Sequence, residues 1–90
     1  MEFEWNNKKA AKNLKKHEIS FQEAASVFLD PLALTFDDPD HSIGEHRLLT
    51  IGCTKTAELV IVAHTEADGI IRIISARPME KHERKIYEEG

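Results

Sequence analysis

The chain has 90 residues, with 12 lysines and arginines against 16 acidic residues, a formal net charge of −4 and 41% hydrophobic residues. This length supports one domain, which we expect to span 1–90, and the apolar share is typical of a globular chain. A single cysteine excludes a disulfide framework and a multi-cysteine zinc site, and the spacing of the glycines excludes dinucleotide-binding and P-loop motifs. The N-terminus lacks the features of a signal peptide, and the longest apolar run, 59–63, is far shorter than the ~20 residues that span a bilayer. We therefore expect a cytoplasmic protein.

Residue periodicity predicts eight elements. Alternating apolar and polar residues favour five short strands, over 2–5, 32–36, 45–53, 59–65 and 70–77. Helical spacing and capping residues favour three helices, from Asn6 or Asn7 to His17, from the capping box of Ser20 and Glu23 to Asp30, and from Pro78 to about Tyr87. The loops between the later strands are short, which is typical of antiparallel neighbours. The order β-α-α-β-β-β-β-α predicts an α+β fold, with helices packed on a small antiparallel sheet.

Metal binding and nucleophilic catalysis find no support in the residue spacing. The five histidines do not form a His-x-x-x-His pair, and the acidic loop 37–40 lacks the spacing of a calcium loop. No nucleophile motif surrounds Cys53, so we interpret it as a small residue within a strand and not as a catalytic nucleophile. We therefore expect neither a metal nor a cofactor.

Basic residues are concentrated in two places, although the overall charge is negative and excludes a chain-wide basic surface. The first helix carries several lysines on neighbouring faces, among them Lys9, Lys12 and Lys16. They indicate either a solvated face or a surface that binds phosphate groups. Arginines occupy the predicted strands: Arg72 interrupts the apolar run 70–74, Arg77 ends that strand, and Arg47 lies in a neighbouring strand.

Two interpretations of these arginines remain open. They either form structural ion pairs, for example Arg72 with Glu45, Glu66 or Glu83, or they gather on one surface of the sheet and bind a phosphate bidentately. Strict alternation places Arg72 and Arg77 on opposite faces of an ideal strand. The two side chains therefore converge only if the strand bends or leaves the sheet near Pro78.

Several short motifs occur together in an order that resembles the BrnT family, the toxins of type II toxin–antitoxin systems. The resemblance runs from residue 3 to about Tyr87, and the segments that carry it are Phe3-Glu4-Trp5, Lys16-His17, Ser20-Phe21-Gln22-Glu23-Ala24-Ala25, Val27-Phe28-Leu29-Asp30-Pro31, Gly44-Glu45-His46-Arg47, Thr50-Ile51-Gly52 and Ile71-Arg72-Ile73-Ile74-Ser75-Ala76-Arg77. It implies a fold similar to that of RelE-like ribonucleases and a toxin that blocks translation by cutting RNA, free or on the ribosome.

The resemblance also implies partners and residue roles. The expected partner is a BrnA-like antitoxin with a ribbon-helix-helix segment, in an assembly of two toxins and two antitoxins that contacts DNA only through the antitoxin. Metal-free RNA cleavage needs cations for the charge that develops on the phosphate, and a base and an acid for proton transfer. The residues expected in these roles are Arg47, Arg72 and Arg77 as cations, Glu45 or Glu83 as the base, His17 or His64 as a proton carrier, and Lys9, Lys12 and Lys16 as RNA contacts.

Three positions depart from the family pattern. Glu18 replaces a glycine that commonly follows the first helix, Pro78 replaces a second arginine after Arg77, and Cys53 stands where a basic residue is frequent. Each change removes a cation or alters a turn. They support an alternative function, a BrnT-like interaction module with weakened catalysis that binds an antitoxin.

Overall fold

The computed structural model describes residues 1–40 and 46–90. Within these residues, five strands form one sheet in the order β1-β5-β4-β3-β2, with bounds β1 Glu2–Glu4, β2 Leu34–Asp37, β3 Leu48–Cys53, β4 Leu59–Ala67 and β5 Ile70–Pro78. The helices are α1 Asn7–His17, α2 Phe21–Ala25, which continues into a 3-10 turn over Ser26–Leu29, and α3 Lys81–Glu89. The α+β class and the predicted element order are confirmed.

The sheet is mixed, because β1 lies parallel to β5 whereas all other neighbouring strands are antiparallel. Short loops set the direction only of strands that follow each other in the chain. β1 and β5 are separated by most of the sequence, so the loop lengths contain no information about their relative direction. The Asp68-Gly69 turn between β4 and β5 has positive φ at both residues, as the hairpin prediction requires.

Helices cover the two faces of the sheet unequally. On one face, α1 and α2 pack over strands β4 and β5, and the core there contains Ile19, Phe21, Ala24, Val27, Val60, Val62, Ile71, Ile73 and Ala76. On the other face, a smaller apolar cluster of Ile51, Ile61 and Met79 packs with Tyr87 of α3. We call these the α1–α2 face and the α3 face. Since α3 has only nine residues, part of the α3 face stays open to solvent.

Helix α1 buries a polar side chain against the sheet. Asn13 is buried whereas Leu14 is half exposed. The Asn13 amide donates to the carbonyl of Ile19 at 3.0 Å, and its Oδ1 accepts from the backbone N–H of Ala76 at 3.0 Å. Asn13 thus joins α1 to β5 beyond the point where β1 stops pairing with that strand.

Helix ends follow the sequence signals in part. Asn6 caps α1 and Ser20 caps α2, whereas the Glu23 carboxylate accepts from Thr56 at 2.9 Å instead of reaching back to Ser20. Pro78 ends β5, and α3 begins later, at Lys81. Glu18 ends α1 in the left-handed conformation, with φ of 59°, and its N–H still donates to Leu14. The substitution of the family's glycine therefore leaves the turn intact. Among the described residues, no helix is long and apolar enough to cross a membrane.

Candidate functional site

A β-bulge in β5 places Arg72 and Arg77 on the same face of the sheet. Ala63 of β4 lies opposite Ser75, but the next residue, His64, lies opposite Ile73, so Ile74 is the extra residue. Arg77 is opposite Ile61 and Arg72 is opposite Thr65. Residues 61 and 65 are an even number of positions apart on a regular strand, so both arginines lie on the α3 face. The expectation of opposite faces is wrong here because the bulge shifts the alternation by one residue.

Arg47, which directly precedes β3, lies on the same face of the sheet as these two arginines. The ladder between β2 and β3 continues past the strand, since the Asp38 N–H donates to the carbonyl of Arg47 at 2.9 Å. Alternation then places Arg47 on the α3 face with Leu49 and, by continuation of the β3–β4 register, across from Thr65. Adjacent strands are ~4.8 Å apart, so the Cα atoms of Arg47 and Arg72 are separated by roughly 10 Å. Two side chains of this length can reach a common phosphate from those positions.

We call the set Arg47, Thr65, Arg72 and Glu4 the arginine row, since Glu4 of β1 lies directly opposite Arg72 on its other side. One Nη of Arg72 lies 3.6 Å from Glu4 Oε1, and the two side chains are 48% and 53% exposed. Such an open surface pair leaves the guanidinium available to other anions. Arg47 is half-buried, and its Nε is enclosed without a hydrogen-bond partner in the part of the chain that the structure describes.

Arg77 is held in a different way. Its Nη1 and Nη2 donate to the two carboxylate oxygens of Glu83 at 2.8 Å each, and Glu83 also accepts from the Glu80 N–H at 2.7 Å. Burial alone would raise the pKa of Glu83, whose side chain is only 11% exposed, but these hydrogen bonds and the charge of Arg77 outweigh it and lower that pKa. The same hydrogen bonds raise the pKa of Arg77. A structural ion pair, one of the two interpretations, thus describes Arg77, whereas the partner of Arg72 is Glu4 rather than Glu45, Glu66 or Glu83.

Distances along β5 separate the two arginines. The four regular steps from the position of Arg72 to that of Arg77, at ~3.3 Å each, give roughly 13 Å between their Cα atoms. Arg77 thus lies farther from Arg72 than Arg47 does. Near Arg77, carboxylate and imidazole atoms of Glu80, His82 and Glu83 lie within 4.8 Å of one another. A metal ion there would have to displace the guanidinium that already binds Glu83.

The lysines of α1 line a cleft beside β5. Its volume is about 280 Å³, and its lining residues are Lys9, Lys12, Asn13, Lys16, His17, Ile74 and Ser75. We call it the lysine cleft. The structure thus brings His17 to the predicted RNA-binding lysines and not to the arginine row. Ser75 is exposed and lies between Arg72 and Arg77 along β5, so it connects the cleft with the α3 face.

Two predicted site residues remain, Glu45 and His64. Glu45 lies outside the described residues. His64 is 1% exposed, its Nε2 is 2.7 Å from Thr50 Oγ1, and its ring packs edge-on against Phe28. Burial lowers the pKa of His64. Because this imidazole is enclosed by the α1–α2 face, it has no direct path to a substrate.

His64 should make the fold sensitive to acid. Its pKa is below the ordinary value of 6.5 in the folded state, so the unfolded chain takes up a proton first as the pH falls. The stability that the neutral, buried imidazole contributes is present above pH ~6.5 and is lost progressively as the pH falls below that value. Urea unfolding at pH 7.5 and 5.5 measures the loss, and His64→Gln is the control. If the wild type and His64→Gln lost the same unfolding free energy between the two pH values, His64 would not be the source of the acid sensitivity.

Sequence reasoning missed Glu4 and Asn13. Glu4 was present in a family motif, but its contact with Arg72 depends on the parallel pairing of β1 with β5. Asn13 lies at helical spacing from Ala10 and His17, on the face of α1 that packs inward. An amide side chain at such a position is the signal that could have identified it. In both cases the role follows from a contact between distant parts of the chain.

Comparisons with known proteins agree with this architecture. Residues 5–83 match a family model described as the ribonuclease toxin BrnT of type II toxin–antitoxin systems. The 1.1 Å crystal structure of the Brucella abortus ribonuclease toxin BrnT is similar, with a TM-score of 0.69 and 20% sequence identity, covering 90% of this chain and 99% of that chain. A search of curated proteins found no significant match. The family model spans most of the sequence, and the chain therefore belongs to the BrnT family of ribonuclease toxins.

Proposed function

We propose that this chain is a metal-independent endoribonuclease that cuts RNA by attack of a 2′-hydroxyl group on the adjacent phosphodiester, and that it blocks translation in the cytoplasm. The observation that carries the proposal is the arginine row. Arg47 and Arg72 project from one face of the sheet, on either side of the Thr65 position.

The charges of the arginine row suit the reaction. As the 2′-oxygen attacks, negative charge builds up on the oxygens of the phosphate, and fixed cations lower the energy of that state. Arg72 keeps an exposed guanidinium with one loose partner, and it is therefore available to bind phosphate oxygens. Arg47 is half-buried and its Nε is enclosed, so its phosphate contacts in this proposal are made by its terminal Nη groups.

The lysine cleft supports binding of the flanking RNA. Lys9, Lys12 and Lys16 line one cleft next to Ser75, which lies on the strand that carries Arg72 and Arg77. A chain with a net charge of −4 needs such a local basic surface to attract a polyanion. In this arrangement the RNA passes from the cleft around the edge of β5 to the arginine row.

The other predicted residues take supporting roles in this proposal. Arg77, fixed by Glu83, contacts a phosphate next to the scissile one. His17 lines the lysine cleft and donates a hydrogen bond to the bound RNA there. Glu83 is a weak base because its pKa is lowered, so its contribution is to orient Arg77. Glu45 stays a candidate for the base.

A type II toxin has an antitoxin partner, and we propose that it is a BrnA-like ribbon-helix-helix protein in a complex of two toxins and two antitoxins. Large apolar side chains are exposed around β2, namely Leu29, Leu32 and Phe36. β2 is an outer strand of the sheet, and an extended partner segment can pair with such an edge. DNA contacts then belong to the antitoxin.

Cleavage by the purified chain tests the enzymatic proposal. We expect an RNA oligonucleotide, or messenger RNA in a translation extract, to be cut in the presence of EDTA and to yield 2′,3′-cyclic phosphate and 5′-hydroxyl ends. The matched control is the same oligonucleotide with a 2′-deoxynucleotide at the cut site, which should stay intact. Absence of cleavage both on free RNA and in the extract would contradict the proposal.

One observation favours a second function. Arg77 is occupied by Glu83, and the next position is Pro78 rather than a further arginine. An interaction module that retains antitoxin binding but has lost catalysis would have such a reduced set of free cations. Harmless overexpression together with retained antitoxin binding would support this alternative.

A further inference from the structure

We propose that Glu4 is a catalytic residue, the general base that takes the proton from the attacking 2′-hydroxyl group. This inference rests on the proposed nuclease function and assigns a role in it to a residue outside the predicted site. It is carried by the place of Glu4 in the sheet and by its contact with Arg72.

Glu4 is fixed next to the phosphate-binding groups by backbone pairing. β1 lies parallel to β5 with Glu4 opposite Arg72, so the two side chains project from the same face. Phe3, the preceding residue, points to the opposite face and packs with Phe28, with ring centroids 5.5 Å apart. The buried neighbour thus anchors the short strand while Glu4 stays about half exposed, in reach of a bound nucleotide.

The two carboxylates beside Arg77 are less suited to this role. Glu83 is buried and accepts three hydrogen bonds, two from Arg77 and one from the Glu80 backbone. Glu80 lies beside Arg77, 3.6 Å from it, and that guanidinium is already bound by Glu83. Glu4 instead contacts the arginine that is open to phosphate, and at 3.6 Å the contact is loose enough to be exchanged.

The step balances without a further reactant. As Arg72 turns to the phosphate, the Glu4 carboxylate accepts the 2′-hydroxyl proton, and the 2′-oxygen forms a bond to phosphorus. The bond from phosphorus to the 5′-oxygen breaks, and that oxygen takes a proton from solvent. Glu4 returns its proton to solvent, and the products are a 2′,3′-cyclic phosphate and a 5′-hydroxyl group.

Substitution of Glu4 with glutamine tests the inference in the full-length chain. We expect Glu4→Gln to lower the cleavage rate by about 10²–10⁴-fold, the usual contribution of a general base, with RNA affinity unchanged or tighter. The acid limb of the pH–rate profile should disappear. Glu2→Gln is the matched control, because Glu2 is exposed on the same strand and pairs with Ile70. Glu4→Asp should retain part of the activity.

Failure of the Glu4 assignment and failure of the nuclease function give different results. If the wild-type chain cuts RNA and Glu4→Gln cuts equally fast, or keeps the acid limb, Glu4 only neutralises Arg72 and the inference is overturned. A loss confined to Glu45→Gln would also overturn it. If the wild-type chain does not cut RNA, the proposed nuclease function itself fails, and the role of Glu4 falls with it.

Discussion

Replacing Arg72 with alanine should lower the rate of RNA cleavage by about 10²–10³-fold, the typical loss when one fixed group that stabilises transition-state charge is removed. The reason is the exposure of this guanidinium on the α3 face, where its contact with Glu4 is loose. Arg72→Lys keeps the charge but not the planar pair of donors, so its loss should be smaller.

The same substitution should leave the fold nearly unchanged. Exposed ion pairs contribute about 0–1 kcal/mol, and the Arg72 side chain is 48% exposed. Urea unfolding and single-turnover cleavage of one RNA oligonucleotide therefore give separate readings. Arg84→Ala is the matched control, because Arg84 is an exposed arginine of α3 outside the arginine row. A rate close to that of the wild type, or an equal loss in Arg84→Ala, would refute the assignment of Arg72.

Gly52→Ala should destabilise the fold by about 2–3 kcal/mol, near the upper end for overpacked cores. A Cβ atom on Gly52 would lie 2.6 Å from Cγ1 of Val27 and 3.3 Å from Oδ2 of Asp30. Val27 is fully buried, so it has little room to move. The Asp30 carboxylate accepts from the Cys53 N–H at 2.8 Å and from the Tyr87 hydroxyl at 2.6 Å, and a shift would disturb both hydrogen bonds.

A double-mutant cycle identifies the cause of this loss. Val27→Ala alone leaves a cavity and destabilises the fold, but in combination with Gly52→Ala it makes room for the new methyl group. We expect the double variant to be more stable than the sum of the two single losses predicts, by about 1 kcal/mol or more. Urea midpoints at neutral pH provide the measurement. Strictly additive losses would show that the contact with Val27 is not the source.

Local patterns predicted the elements well because they act over a few residues. The Asp68-Gly69 turn and the alternation in the later strands were sufficient for three strands of the sheet. The bulge escaped prediction because Ile74 ends an apolar run, and an extra apolar residue looks like any other member of it. The contact between Glu4 and Arg72 escaped for another reason, since it joins residues that are far apart in sequence.

In the candidate site, too, residue types could be predicted from the sequence, whereas contacts between distant elements could not. Residue chemistry and family motifs predicted Arg47, Arg72 and the lysines as site residues, because cations on strands and helices can be recognised in the sequence. The pairing of Arg77 with Glu83 depends on where α3 begins, and this helix starts three residues after Pro78. Burial of His64 likewise follows from the packing of Phe28 over the sheet.

The extra residue in β5 also affects how this strand tolerates mutation. Deletion of Ile74 would remove the bulge and leave a regular ladder, in which Arg72 stays opposite Thr65 and Arg77 stays opposite Ile61. Insertion of a further residue between the two arginines would instead invert the inside–outside pattern of half the strand, and one arginine would then project into the apolar core beneath α1 and α2. The segment therefore tolerates shortening by one residue better than lengthening.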